Sequence, residues 1–479
     1  PVPLGETESG DTNGSSPPQP KEHDWAERAR AGDADHRDYY LMFDDDDTMP
    51  RAYEATLVEV FPNDAPGNFT YYDDIGKWVW TTFNEHQWDL NWANPRVFLE
   101  IAKVMLFLAN QGVDVLRLDA VAFMWKRLGT RCQSEPEVHA ILRALRAVTR
   151  IAAPSVLHLE EAIVGPAEML SYFGRGEHDG REGNLAYHNN LMVQYWGALA
   201  ARDTRLMTHV LSAHFPELLT NATYATYIRC HDDIGWAVTD EDAGALGVSG
   251  PAHRAFLSEF YEGGFDGSFA RGALFQVNEE TGDKRISGTF ASLAGLERAI
   301  AEDDQAGVEL AINRILLGHA LIASFGGIPL IYMGDEVALM NDYGYLGQPE
   351  HRHDSRWIHR PAMDWTWVEQ ALAGTPPAAH ILAGTRHILA RRKATPHLHG
   401  AYPTRILDPG LSPIFTFARL TPLGPLICLF NFTESWQGVP GRWIRDQGVA
   451  RFHDALSDNT VDLAQDTLAM PPYGRVWLT

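Results

Sequence analysis

Four stretches of this 479-residue chain end an apolar run in acid. Val113 to Leu118 leads into Asp119, with Arg117 two residues earlier. Ser155 to Leu159 leads into Glu160 and Glu161, Ala225 to Cys230 into His231-Asp232-Asp233, and Ile328 to Met333 into Gly334-Asp335-Glu336. Side chains at i and i+2 leave a strand on one face, so Arg117 and Asp119 look into one space. A guanidinium there favours the charged form of the carboxyl. Alternation turns one of Glu160 and Glu161 toward that space and the other away, and the pattern alone does not choose between them. Two carboxylates flanking a scissile bond, with a third beside them, are the equipment for cleaving a glycosidic linkage. One attacks the anomeric carbon, and the other protonates the leaving oxygen and later deprotonates the acceptor. Solvent-facing acids in ordinary loops account for one such strand end and account poorly for four.

The elements that must position these groups follow from periodicity. An amphipathic helix pattern over Arg96 to Asn110 precedes the first run, and helical patterns follow at 135–152, 190–202, about 307–324 and 379–393. Strand, helix and strand in alternation make a parallel sheet, and a rim of acids at the C-terminal strand ends is where a (β/α)8 TIM-type barrel does chemistry. The expected fold is therefore α/β. It comprises a barrel over 21–397 with long loop insertions at about 21–95 and 237–300. A C-terminal antiparallel β-sandwich follows over 398–479, where short alternating strands replace helices. Residues 1–20 are Pro, Gly, Ser and Thr-rich and read as a disordered leader. The acidic run Asp44 to Asp47 lacks the glycine and terminal Glu of a calcium loop and reads as a solvated turn. His351 and His353 have no third ligand at zinc spacing, so no metal is expected.

Composition narrows the partners. A net charge of −24 argues against nucleic acid and anionic membrane. The 14 Trp, 16 Tyr and 21 Phe supply stacking surface for a neutral, polyhydroxylated substrate. Cys132, Cys230 and Cys428 are far apart, with no metal or redox spacing. Neither a signal peptide nor an apolar stretch of membrane-spanning length is expected, which suits a reducing, cytoplasmic compartment.

Gly-Val-Asp-Val-Leu-Arg-Leu-Asp-Ala (112–120), Leu-Glu-Glu-Ala-Ile-Val (159–164) and His-Asp-Asp-Ile-Gly-Trp (231–236) resemble three signature regions of the α-amylase superfamily, glycoside hydrolase family 13. The resemblance is nearer to the amylosucrases, through Trp88-Asp89-Leu90-Asn91, Ile286-Ser287-Gly288-Thr289 and Asp354 to Pro361. It implies that Asp119 is the nucleophile, with Arg117 its partner. Glu161, directly before Ala-Ile-Val, becomes the general acid/base, and Asp232 the carboxylate that stabilises the transition state with His231 assisting. Asp233 joins the substrate-binding groups, Arg356 lies at the base of the glucosyl pocket, and Arg254 and Arg285 line the acceptor channel. The implied reaction is transfer of glucose from sucrose to an α-1,4-glucan, with release of fructose, retention of configuration and no cofactor.

The resemblance starts at about Lys21. Ahead of that point the family carries a helical domain and the first three barrel strands, so the resemblance implies a (β/α)8 TIM-type barrel that is N-terminally incomplete in this chain. Val113 to Leu118, or whatever precedes it, is then an open apolar edge that invites aggregation or pairing with another chain as a homodimer. The chain alone is expected to be poorly active, and Arg356 is expected to lack its acidic partner. Sucrose hydrolysis or α-amylase-like hydrolysis needs the same carboxylates and differs only in the acceptor channel. An inactive truncated product, or a non-catalytic amylase-like barrel such as a transporter-associated ectodomain, is the alternative of another class. The non-catalytic barrels lose the acids that Asp119, Glu161 and Asp232 retain here.

Overall fold

The computed structural model describes residues 23–61, 65–278, 281–449, 451–463 and 465–479, so the leader expected at 1–20 lies outside the described residues. The chain divides into two units, Pro1–Tyr187 with Thr220–Ala222 and His188–Leu219 with Thr223–Thr479.

The first unit opens on a small antiparallel sheet. β1 (Met42–Phe43), β2 (Phe69–Tyr72) and β3 (Lys77–Trp80) lie in the order β1-β3-β2. Alternation along β3 sends Trp80 into an aromatic cluster with Phe69, Phe43 and Tyr53, and Val79 to the other face with Tyr40 and Trp88. The irregular insertion expected over 21–95 is thus corrected to a sheet with two apolar faces of its own. The acidic run behaves as a solvated turn. Asp44 pairs with Lys77, Asp47 with Arg51, and Asp46 accepts the Thr48 N–H at 2.9 Å.

Helix Pro95–Asn110 starts where Asn94 accepts the Arg96 N–H and Pro95 takes the first position. Its Ala102 and Met105 meet Leu116, Leu145 and Val156 in one core. Around that core lie β4 (Val115–Leu118), helix Pro136–Ala152, β5 (Leu157–Glu160) and β6 (Leu185–Tyr187). The three strands are parallel, with Leu118 opposite Glu160 and Leu159 opposite Leu185. β4 is the edge of this run among the described residues, and its Val115 is exposed.

In the second unit, β7 (Thr223–Thr226) is followed by the hairpin β8 (Ala273–Val277) and β9 (Lys284–Ser287), then by β10 (Ile328–Pro329), which pairs parallel to β7. The loop insertion expected at 237–300 is corrected as well. It holds helices Asp240–Ala245, Gly250–Glu262, Phe290–Leu293 and Leu296–Ala301 besides the hairpin. Helix Gly250–Glu262 buries Leu257, Phe260 and Tyr261, and the Tyr261 hydroxyl donates to the Trp196 carbonyl at 2.6 Å. The apolar run from Ile328 is a strand only over Ile328–Pro329, and the Leu330 N–H still donates to the Thr226 carbonyl of β7 at 2.8 Å.

Helix Gln305–Ser324 corrects the expectation that no segment reaches membrane-spanning length. It has 20 residues and contains an 18-residue window of mean hydropathy 1.4, enough by length and composition to cross a bilayer. Residues Arg314 through Ser324 are nevertheless all buried inside the second unit, the environment of a core helix.

Strands β11 (Thr404–Leu407), β12 (Ile414–Thr421), β13 (Gly424–Asn431), β14 (Gln437–Pro440), β15 (His453–Asp454), β16 (Asn459–Thr460), β17 (Thr467–Met470) and β18 (Arg475–Leu478) build the C-terminal region. Six of them form the sheet β11-β12-β13-β18-β15-β16, and β14-β17 form a second layer. Ile414, Ile427 and Leu429 of the first layer share a core with Val439 and Leu468 of the second, as in a sandwich.

Candidate functional site

In the first unit, Arg117 leaves β4 and donates from Nη1 to Asp119 Oδ1. Its Nη2 lies 4.0 Å from Glu161 Oε1, and its Nε donates to the Tyr187 hydroxyl at 3.2 Å. One guanidinium therefore stands among two carboxylates and a phenol. Burial works against its charge, but Asp119, Glu161 and Tyr187 outweigh that and hold its pKa above the usual arginine value. Ala120 adopts φ +49°, and its N–H donates to Glu161 Oε2 at 2.7 Å. That left-handed turn re-aims the backbone straight after the strand. Asp119 is left with a 73% exposed side chain, while Glu161 is largely enclosed.

Alternation separates the two glutamates of 160–161 as expected. Glu160 is 1% exposed, and neither of its carboxyl oxygens has a hydrogen-bond partner among the described residues. Burial, and then the Glu182 charge, push its pKa up to about 8, with Arg146 pulling the other way. Gly183 permits this placement, since a Cβ there would come within 2.5 Å of Glu160 Cγ. Glu182 is itself buried, and it takes His139 Nδ1 and Arg143 Nη1, each at 2.7 Å.

In the second unit, the chain beyond β7 carries Arg229 to Asp233. Asp232 Oδ1 faces Arg356 Nη1 at 3.8 Å and Arg360 Nη2 at 3.6 Å, and its Oδ2 faces His231 Nε2 at 3.3 Å. Arg285 on β9 reaches Asp233 at 3.6 Å. Burial raises the Asp233 pKa, and Arg285 and Arg356 oppose the rise. Arg356 does not lack an acidic partner. Its Nε and Nη2 donate to Asp354 at 2.9 and 2.7 Å, and although burial opposes it, this pairing holds the Asp354 pKa low. Arg254 lies on helix Gly250–Glu262, its guanidinium held by Asp283, Asp240 and the Val238 carbonyl at 2.7, 2.9 and 2.8 Å.

Sequence reasoning left three residues of these clusters without a role. Tyr187 anchors Arg117 in the first unit. In the second, His359 accepts the Gly288 N–H at Nδ1, and its Nε2 donates to the His231 carbonyl at 2.9 Å. Burial, then the Arg229 charge, hold its pKa well below the usual histidine value, consistent with this neutral tautomer. Arg360 Nε donates to the same carbonyl at 2.7 Å, so two side chains fix the backbone that presents Asp232. The signal for both was the quoted segment Asp354 to Pro361. The fourth acidic strand end is corrected: Asp335 is not an open rim group. It is buried against Arg229 Nε at 2.8 Å, with burial raising its pKa to about 6.

Residues 19–239 match the catalytic domain of alpha amylase, and residues 408–479 match the C-terminal domain of amylosucrase. The glucosylglycerate phosphorylase of Spirochaeta thermophila is 33% identical over 473 residues, covering 95% of this chain and 74% of that protein. The trehalose synthase/amylase TreS of Mycolicibacterium smegmatis is 29% identical over 72% of this chain, and the chain spans half the length of that relative. The crystal structure of sucrose 6F-phosphate phosphorylase from Thermoanaerobacter thermosaccharolyticum superposes with a TM-score of 0.63 at 17% identity, over 86% of this chain and 77% of that one. The chain belongs to the α-amylase family, glycoside hydrolase family 13. Its fold is the family's (β/α)8 barrel followed by a C-terminal antiparallel β domain.

Proposed function

We propose that this chain transfers glucosyl groups from sucrose to an α-1,4-glucan by a retaining double displacement. The observation that carries the reading is Arg117, shared between Asp119 and Glu161, with the Ala120 N–H fixing the second carboxyl. Asp119 forms a bond to the glucosyl C1 as the bond from C1 to the fructosyl oxygen breaks, and Glu161 gives its proton to that oxygen. A β-glucosyl ester results. The 4-hydroxyl of a glucan end then attacks C1, passes its proton to Glu161 and releases Asp119. Asp232 takes the role of gripping sugar hydroxyls at the transition state, and Arg285 with Asp233 is our choice of acceptor-side group. The amylosucrase-type C-terminal region supports this donor and acceptor. Free cysteines throughout support a cytoplasmic setting.

A second reading, phosphorolysis of an α-glucoside, is favoured by the extent of the match to a glucosylglycerate phosphorylase. Incubation of the chain with sucrose, with and without a glucan primer or inorganic phosphate, separates the two, with Asp119→Asn as control. Fructose and lengthened glucan without phosphate is the expected result. Glucose 1-phosphate formed only with phosphate would assign phosphorolysis, and equal glucose and fructose would assign hydrolysis. A soluble, folded chain that releases no fructose under any of these conditions would overturn the proposal.

A further inference from the structure

Cys230, His231 and Asp232 follow one another in the chain, yet each offers a ligand atom, and these atoms all lie within 4.8 Å of one another. Local folding produces the convergence. The Asp232 N–H donates to Cys230 Sγ at 3.4 Å, holding the sulfur beside the Asp232 backbone, and His231 Nε2 stands 3.3 Å from Asp232 Oδ2. That last separation is close to the spacing of two donors on one tetrahedral ion whose bonds run about 2.0–2.2 Å. Sulfur, imidazole nitrogen and carboxylate oxygen together are a donor set for a borderline cation such as Zn2+, whereas Mg2+ and Ca2+ select oxygen. Access is open: the His231 side chain is 43% exposed and Asp232 is half-buried.

The objection is the surrounding arginines, and two observations answer it. Arg356 and Arg360 both address Oδ1 of Asp232, which leaves Oδ2 on the His231 side. The fixed charges also balance in number, since Arg285, Arg356 and Arg360 stand with Asp232, Asp233 and Asp354. We propose that Cys230, His231 and Asp232 bind a borderline divalent cation, Zn2+ foremost, and that occupation of this site and glucosyl transfer exclude each other. On binding, the Cys230 thiol releases its proton to solvent as the sulfur–metal bond forms, neutral His231 contributes a nitrogen lone pair, and a fourth position stays open to water. The exclusion rests on the role proposed for Asp232, and the binding does not.

The test is a titration of the full chain, stripped with a chelator, using Co2+ as a spectroscopic stand-in and Zn2+ as competitor. A thiolate-to-cobalt absorption band saturating at one ion per chain is expected, to be displaced by Zn2+ and absent in Cys230→Ser. Zn2+ affinity in that variant should fall by at least about tenfold. Cys132→Ser, which alters a buried thiol elsewhere, should titrate like the parent. No thiolate band, or equal Zn2+ affinity in Cys230→Ser, would overturn the site. In the rate assay, Zn2+ should suppress fructose release in the parent and leave Cys230→Ser much less affected. Stoichiometric binding with an unchanged rate would overturn the exclusion and leave the site standing. A chain with no transfer activity would leave the cobalt titration to decide the site by itself.

Discussion

The two acidic strand ends are built on opposite plans. In the first unit, Asp119 is mostly exposed beside one guanidinium that also serves Glu161. In the second, Asp232 faces two guanidiniums and an imidazole, and Arg229 on the same stretch of chain is buried against Asp335. A group that must form and break a covalent bond needs room for its reaction partner. A group that steadies developing charge is more useful when its own surroundings are already fixed. The contrast of open and crosslinked is what assigning nucleophile and stabiliser to these positions requires.

The strongest way to break that comparison is Asp119→Asn. Because the side chain is exposed and its partner Arg117 keeps Glu161 and Tyr187, the substitution should leave the melting temperature nearly unchanged. Sucrose turnover should fall on the order of a million-fold, the scale seen when a covalent nucleophile is removed. Thermal melts beside fructose release check both halves. An unfolded variant, or one that keeps its rate, would remove the basis for treating this strand end as the reactive one.

The crosslinked end should fail the other way, in stability. Arg229 and Asp335 have side chains 2% and 4% exposed, and Arg229 also donates to the His359 carbonyl at 3.1 Å. Arg229→Met strands a buried carboxyl and should cost about 3–5 kcal/mol in urea unfolding. Adding Asp335→Leu should recover most of that loss, because removing both charges spares the desolvation of either. A double variant no better than the single one would show that the pair holds His359 and the Asp232 backbone in place through more than charge.

Glu160 gives a pH-dependent version of the same contrast, one residue from Glu161. Its folded pKa of about 8 stands above the ordinary 4.5, so the native state binds its proton more tightly than the unfolded chain does. The stability this contributes is fully present below pH 4.5 and is lost as the pH rises through 8. Glu160→Gln should therefore gain on the parent as pH increases from 5 to 8.5. Each pH unit of that window is worth about 1.36 kcal/mol, so the difference should reach a few kcal/mol at most. Unfolding curves at the two pH values measure it, and a constant difference between the variants would show that Glu160 does not titrate there.

How much of this was legible in the sequence depended on the range of the interaction. Arg117 with Asp119, and the opposed faces of Glu160 and Glu161, follow from a period of two, and the structure keeps both. Asp335 was misread because an acid after an apolar run looks alike whether it faces solvent or a buried arginine 106 residues away. The 237–300 segment read as loop because glycines punctuate short elements. The spacing of Leu257, Phe260 and Tyr261 was a helical signal inside it. Arg356 was expected to lack an acid because the resemblance put its partner in the region ahead of Lys21, whereas Asp354 stands two residues away.

The smallest expected effect separates the two arginines assigned together to the acceptor side. Arg254 has its guanidinium held by Asp283, Asp240 and the Val238 carbonyl, and Asp240 is largely exposed. Arg254→Ala should shift stability by no more than about 1 kcal/mol, the usual worth of such pairs, and leave glucan length unchanged. Arg285 lies on the β9 strand at 3.6 Å from Asp233, whose burial already lifts its pKa. Removing Arg285 withdraws a cation that opposes that rise, so the Asp233 carboxyl moves further toward its neutral form and loses affinity as a hydrogen-bond acceptor for sugar hydroxyls. Arg285→Ala should therefore raise KM for the glucan primer by about tenfold, one missing charged hydrogen bond, while fructose release from sucrose alone falls less. Chain-length profiles and initial rates read both. If Arg254→Ala redistributes products as strongly as Arg285→Ala, the acceptor path includes the helix Gly250–Glu262 face, and the held guanidinium of Arg254 must release Asp283 when glucan binds.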